Sequence, residues 1–448
     1  MSPDRRRRRR GASPGTRSRP IRCCGGRGRC RECESVGWTC RRLSAAETER
    51  LGLPHGSVRV RSEPDFHLQA GGILSDKRYP GLDGLRGLAA FLVILHHTAL
   101  KGTDIGGLSV FLFFALSGFL ITGILARQRR EIEAGRMTRR EALGQFWTQR
   151  ALRIFPAYFF WLAVFLPFDS LLFHGQTLDH LLWYLLYAQN FLIGYVTQAW
   201  GDFTHTWSLA VEQQYYVFFA PLLLAMPGRR HARFFAAAIA VCFAAGLALA
   251  ACGFDQVTLY TSPSTGFVFM AAGGLLAILP AERGSFLARP QIVVAALAAT
   301  AFLAVYPMLE RAEFVRLPYL LLIAASAVSL ATLLKATLAA PRSFAVRLLE
   351  SAPLLFLGKI SYALYIVHLP LSYWAHEASA LDWADGVARD LVEFAFVTPA
   401  SLALATFSYH FVEAPFLKLK ARLKSMGTLR PGAKVRPADP RPSDRAMT

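Results

Sequence analysis

Charged residues are scarce in this chain, with only 18% of its 448 residues being Asp, Glu, Lys or Arg against 53% apolar. Together with a mean hydropathy of +0.32, that shortage excludes an ordinary soluble domain. Cysteine is nearly missing from the body. Cys23, Cys24, Cys30, Cys33 and Cys40 crowd into the head, and only Cys242 and Cys252 follow, within an apolar run. A secreted disulfide framework is therefore not expected. Cys30 and Cys33 have zinc-knuckle spacing, but no second Cys or His pair follows at a usable distance, so no metal is expected. The Arg5 to Arg10 run lacks the apolar core that would follow it in a signal peptide. No inverted internal repeat of the transporter kind is visible either.

The net charge of +20 sits at the ends: residues 1–70 carry about half of it and residues 418–448 most of the rest. A nearly neutral centre argues against a nucleic-acid partner, which needs a basic surface on the folded body. Three segments follow from this: a basic, Cys/Arg/Gly-rich head over 1–74, expected to be disordered or to precede the true start; a membrane domain over 75–418; and a basic, disordered tail over 419–448.

Between Leu82 and Phe411, long apolar stretches alternate with short polar loops, and about 20 apolar residues suffice to cross the hydrocarbon. The pattern predicts an all-α polytopic bundle with spans at 83–101, 105–125, 154–173, 207–226, 234–252, 266–281, 290–308, 317–336, 354–374 and 389–411. The apolar piece 181–195 is short and contains Gln189 and Asn190. It is expected to be re-entrant or interfacial, because only then do the basic loop 127–153, the basic stretch Arg229 to Arg233 and the basic tail fall on one side. Both termini then face the cytosol of an inner, plasma-membrane protein.

Ionisable groups at membrane depth are costly and are functional candidates by default. Arg86 and His97 stand eleven residues apart, which on a helix brings them within ~20° of one direction and ~16 Å apart along the axis. His96 points about a quarter turn away. A plainer account of the pair is a snorkelling anchor and an interhelical hydrogen bond. Ser117 and Gly118 suit close helix packing, and Arg150 and Arg153, at i and i+3, suit either a phosphate-rich ligand or topogenic charge. Glu212 lies on a stripe with Ser208 and Tyr216, and Ser361, Tyr365 and His368 share another face.

In order along the chain, Arg86-x10-His97, Phe113-Phe114-x-x-Ser117-Gly118, Arg150-x-x-Arg153, Trp207-Ser208-Leu209-x-Val211-Glu212, Ser361-Tyr362-x-x-Tyr365-x-x-His368 and Phe411-Val412-Glu413-x-Pro415 resemble the acyltransferase-3 family of integral membrane O-acyltransferases over residues 79–418. Two departures stand out. Gln213 follows Glu212 where members commonly carry a second acid, and Gly266 and Val268 occupy positions where an Arg and an Asp are usual. The tail after Phe416 is also too short for the extracytoplasmic hydrolase-like domain fused to some members, which leaves room for a separate extracytoplasmic partner.

The resemblance implies acyl-CoA, with acetyl-CoA favoured, as co-substrate rather than a permanently bound cofactor, and a hydroxyl of an envelope or exported glycan as acceptor. Arg86, Arg150 and Arg153 are expected to bind the donor, with His97 as general base, or as acyl-accepting nucleophile, and Glu212 orienting a histidine or the acceptor. Ser361, Tyr365 and His368 are expected at the oxyanion or acceptor site, with Ser117 and Gly118 packing beside it. A lipid or sugar exporter without covalent chemistry is the rival reading.

Overall fold

The computed structural model describes residues 39–42, 58–61, 79–172, 178–201, 203–280, 285–312, 318–377 and 386–428. The Cys30 and Cys33 pair, the Arg5 to Arg10 run and the end of the basic tail lie outside them. Within the head, β1 (Thr39–Arg42) pairs antiparallel with β2 (Val58–Arg61) in a short ladder, and this is a compact unit separate from Lys77–Thr448.

The second unit is helical. Its long helices are α1 (Leu82–Thr98), α2 (Ile105–Glu133), α3 (Arg139–Leu172), α4 (Trp207–Ala225), α5 (His231–Ala251), α6 (Pro263–Ile278), α7 (Pro290–Arg311), α8 (Tyr319–Ala339), α9 (Ala352–Glu377) and α10 (Gly386–Phe407). Each expected span therefore has its helix. Among the described residues, 8 helices are long and apolar enough to cross a membrane. The other two spans rest on α1, with 17 residues, and α4, with 19 residues that include Glu212, Gln213 and Gln214. This is a multi-pass membrane protein.

Three local features depart from, or explain, the sequence pattern. The basic stretch 127–153 is mostly helix rather than loop: α2 runs to Glu133 and α3 starts at Arg139. A reciprocal cap makes the tight turn possible, with Thr138 N donating to Glu141 Oε2 at 2.9 Å and Glu141 N to Thr138 Oγ1 at 3.2 Å. The segment 181–195 breaks into Leu181–Leu185, Gln189–Phe191 and a wide turn at Leu192–Thr197, and Tyr187 takes φ 53, a conformation that ends a helix. Pieces this short cannot cross a bilayer. Gln189 Nε2 donates to Thr206 O at 2.8 Å and Gln214 Nε2 to Asn190 Oδ1 at 2.8 Å, so the two polar residues fasten the segment beside α4. Finally, α10 passes through a π-turn at Ser408–Glu413 into α11 (Ala414–Thr428), so helix extends into the expected tail.

The core of this unit centres on α1, α2, α6 and α9. Close approach of their backbones depends on missing side chains: a Cβ on Gly87 would lie 2.2 Å from Leu354 O on α9, and one on Gly118 would lie 1.9 Å from Met270 O on α6. Small residues at such crossings let helices pack without a hydrophobic driving force. Beyond α1, Lys101 Nζ meets Glu393 Oε2 at 2.7 Å and Asp390 Oδ1 at 3.0 Å on α10, pinning the His97 end of α1.

Candidate active site

The first turns of α1 open onto a cavity of about 350 Å³ lined by Asp83, Arg86, Arg153, Leu355, Gly358, Lys359, Tyr409 and Leu417. Its basic side chains come from α1, α3 and α9. The widened π-turn contributes too, since it carries both Tyr409 and Glu413. Lys359 Nζ stands 4.5 Å over the Tyr409 ring. Arg153 Nη1 lies 3.7 Å from Glu413 Oε2, a loose pair, and Arg86 Nε is buried without a hydrogen-bond partner. A guanidinium left unsatisfied beside an open cavity is suited to an anionic ligand. Arg150 does not line this cavity. Its guanidinium sits 6.0 Å from the Phe146 ring centroid, with Nε buried and unpartnered.

Deeper in the bundle, Glu212 Oε1 on α4 accepts from Ser117 Oγ on α2 and from Tyr216 OH at 2.5 Å. Ser117 is thus more than a packing residue, while Gly118 beside it lies against the Met270 main chain of α6. Both Glu212 and Tyr216 are electrostatic neighbours of Arg86. The expected link from Glu212 to a histidine is not made: among the described residues its bonded partners are the two hydroxyls. Glu212 belongs with the arginines.

Eleven residues along α1 the chemistry changes. His97 faces His368 of α9, with ring centroids 5.3 Å apart, and His368 lies 5.3 Å from His205. His96 packs onto α2, where a Cβ on Gly106 would meet its ring, and its ring also meets that of His97 edge-on, with centroids 4.8 Å apart.

Ser361, Tyr365 and His368 do share a face, but their donors are spent. Ser361 Oγ donates to Gly358 O at 3.0 Å, and Tyr365 OH donates to His205 O at 2.8 Å while meeting Ser208 Oγ at 2.7 Å. His368 Nδ1 lies 2.7 Å from Tyr365 O. A carbonyl only accepts, so Nδ1 carries the proton of the neutral ring and Nε2, buried and unpartnered, is a lone pair. In this arrangement their hydrogens point to main-chain carbonyls, so the wall they form presents hydrogen-bond acceptors.

Sequence reading missed His205, Lys359 and Tyr409. His205 stands two residues before the Trp207 motif and Lys359 two before Ser361, so adjacency to a motif was the available signal. His205 is 5% exposed, its Nε2 lies 3.0 Å from Ile366 O, and its Nδ1 is buried without a partner. For Tyr409 no pattern pointed inward, because the π-turn that sets its direction is not visible in residue spacing.

With this geometry in hand, comparison with known proteins finds that residues 79–410 match the family described as Acyltransferase domain. YrhL of Bacillus subtilis is 28% identical over 365 residues, covering 75% of this chain and 54% of YrhL. The peptidoglycan O-acetyltransferase OatA of Listeria monocytogenes is 26% identical over 376 residues, covering 77% of this chain and 56% of its own. The O-acetyltransferase OatA of Staphylococcus aureus strain NCTC 8325 is 27% identical over 365 residues, covering 77% and 58%. The chain spans little more than half the length of these relatives. No solved structure matches it significantly.

Proposed function

The chain belongs to this acyltransferase family, and from that premise we propose that it transfers an acyl group, with acetyl favoured, from acyl-CoA to a hydroxyl of an envelope or exported glycan. The observation that carries the reading is the two-ended helix α1, with Arg86 in a cation-lined cavity and His97 on the same face among neutral ring nitrogens. A thioester with a phosphorylated handle and an uncharged acyl end has that same polarity. Its phosphates are held by Arg86, Arg153 and Lys359, with Arg150 and the hydroxyl-bound Glu212 nearby. The acyl carbonyl then reaches toward His97.

There the acceptor oxygen attacks the carbonyl carbon as His97 takes its proton, the carbon–sulfur bond breaks, and His97 returns the proton to the leaving thiolate. The products are an ester and a free thiol, and base catalysis of this type contributes roughly 10²–10⁴-fold. The arginine end faces the cytosol in this reading, as do both termini, with the protein in the inner membrane and 196–206 outside. The name of the Listeria relative, a peptidoglycan O-acetyltransferase, favours a cell-wall glycan as acceptor.

The test is thiol release from acetyl-CoA by membranes containing the protein, with mass spectrometry of envelope glycans from cells with and without the gene. Free thiol and a lost acetyl mass on deletion are expected. Solute movement with acetyl-CoA untouched would instead establish the exporter. Reporter fusions at Arg139 and Thr204 should mark opposite sides of the membrane.

A further inference from the structure

Three buried ring nitrogens around His97 lack a partner: one is Nδ1 of His96, the preceding residue on α1, whose ring meets His97 edge-on at 4.8 Å, and the two on other elements have no role in the reaction as drawn. His368 is 1% exposed. With its ring neutral, the bond from Nδ1 to Tyr365 O leaves Nε2 as a lone pair, and Nε2 is buried without a partner. His205, whose Nε2 bonds Ile366 O, leaves Nδ1 in the same condition. Ser361 and Tyr365 have committed their hydrogens elsewhere. Buried acceptors without donors are uncommon because each costs about 1–3 kcal/mol, so a wall with two of them calls for an N–H or O–H from in front. His97, half-buried on α1, faces His368 directly, ring to ring.

We propose that His368 is the positioning residue for His97: its Nε2 accepts an N–H from His97 and so fixes the tautomer whose other ring nitrogen takes the acceptor's proton. The inference rests on the acyl-transfer reading above. Two imidazoles joined by an N–H···N bond of about 2.9 Å, with each nitrogen about 1.2 Å from its ring centre, have centroids roughly 5.3 Å apart. The observed separation is 5.3 Å, with planes inclined by 44°. The terminal torsion of a histidine is broad and soft, so turning the His97 ring closes the bond without moving either helix. The device follows the logic of a base oriented by a third group, with a neutral imidazole where a carboxylate is more usual. His368 keeps its own proton on Nδ1 throughout; the migrating proton passes from the acceptor hydroxyl to the far nitrogen of His97 and on to the thiolate.

Asparagine and glutamine separate this role from a structural one, because the asparagine amide falls where Nδ1 sits and the glutamine amide where Nε2 sits. His368→Asn keeps the anchor to Tyr365 O and removes the acceptor facing His97. His368→Gln does the reverse. The assay is thiol release from acetyl-CoA by membrane vesicles that carry their own envelope glycans, at matched protein abundance. The expected order is wild type, then His368→Gln at about a tenth of wild-type kcat, then His368→Asn lower by about a further tenfold, each with KM for acetyl-CoA within about twofold of wild type.

A purely structural histidine gives the opposite order, since the asparagine keeps its native bond. Asn equal to or better than Gln overturns the proposal, as does a His368→Asn protein that fails to accumulate, or a KM that rises with kcat held. Wild-type membranes that release no thiol overturn the acyl-transfer reading and the proposal with it. That result is distinguishable because it appears before any variant is made.

Discussion

The two ends of α1 are built on opposite principles. At the Arg86 end the side chains are charged, drawn from α1, α3, α9 and the π-turn after α10, and arranged around open volume. Around the His97 ring they are imidazoles, two of them bonded to main-chain carbonyls and almost fully enclosed, His205 and His368, with charge confined to the Lys101 cluster beyond the helix end. Cations around a cavity, with Arg86 Nε unpartnered and Arg153 in a long 3.7 Å pair with a buried carboxylate, keep hydrogen-bonding capacity for an anionic ligand that comes and goes. Locked imidazoles suit a proton transfer, where a small error in donor position removes the advantage. The division predicts that substitutions at one end disturb donor binding and those at the other disturb turnover.

The largest break in that contrast should come from His97→Ala. At matched membrane abundance it is expected to lower kcat for thiol release by roughly 10²–10⁴-fold with little change in KM for acetyl-CoA. His96→Ala is the neighbouring control. Its ring packs on Gly106 of α2, so its activity should stay within about threefold of wild type. Near-normal turnover in His97→Ala would move the base to another residue.

At the opposite end, Arg86→Lys keeps the charge and removes the planar fork. A charge-assisted hydrogen bond contributes about 1.5–3 kcal/mol, so catalytic efficiency should fall by about ten- to a hundredfold, mainly through KM for the donor. A kcat effect at unchanged KM would show that Arg86 serves chemistry, and the contrast between the ends would collapse.

Part of this geometry is legible in the sequence because α1 is a regular helix: eleven residues from Arg86 to His97 fix their common face. The spans were equally readable, since apolar length is a one-dimensional property. Non-local partnerships were not. Glu212 meets Ser117, 95 positions earlier, and His205 meets Tyr365, 160 positions later. A shared face likewise shows where Ser361, Tyr365 and His368 point but not which of their hydrogens are already engaged. The departure at Gly266 has a clear structural consequence, since a Cβ there would lie 2.5 Å from a Val211 methyl. An arginine at that position would need a different packing of α6 against α4.

A packing test of intermediate size uses Gly118, which belongs to neither end. Its contact with Met270 O is main chain, which cannot rotate aside. Gly118→Val should therefore force α2 from α6 and lower the yield of assembled protein, with overpacking costs of about 1–3 kcal/mol. Detergent-solubilised protein should show a lowered unfolding temperature. Unchanged stability would mean the two helices have slack there.

The smallest expected effect is at Lys359, and it distinguishes a phosphate site from a generally basic surface. Lys359 is exposed and held over the Tyr409 ring at 4.5 Å, so its contribution is limited by solvent and by salt. A contact between exposed charges is worth about 0.2–1 kcal/mol, which sets the expected rise in donor KM for Lys359→Ala at about fivefold or less, with kcat unchanged. Tyr409→Leu should give a rise of similar size, whereas Tyr409→Phe, which keeps the ring face, should give almost none. The decisive comparison replaces acetyl-CoA with acetyl-pantetheine, which has the same thioester and no phosphates. Wild type should then lose donor affinity, and the difference between wild type and Lys359→Ala should vanish, because the lysine no longer has an anion to meet. If Lys359→Ala impairs the phosphate-free donor just as much, the lysine supports the fold of the cavity and the phosphates are held elsewhere. If raising the salt concentration leaves the acetyl-CoA difference unchanged, the contact is not the exposed electrostatic one that the geometry describes.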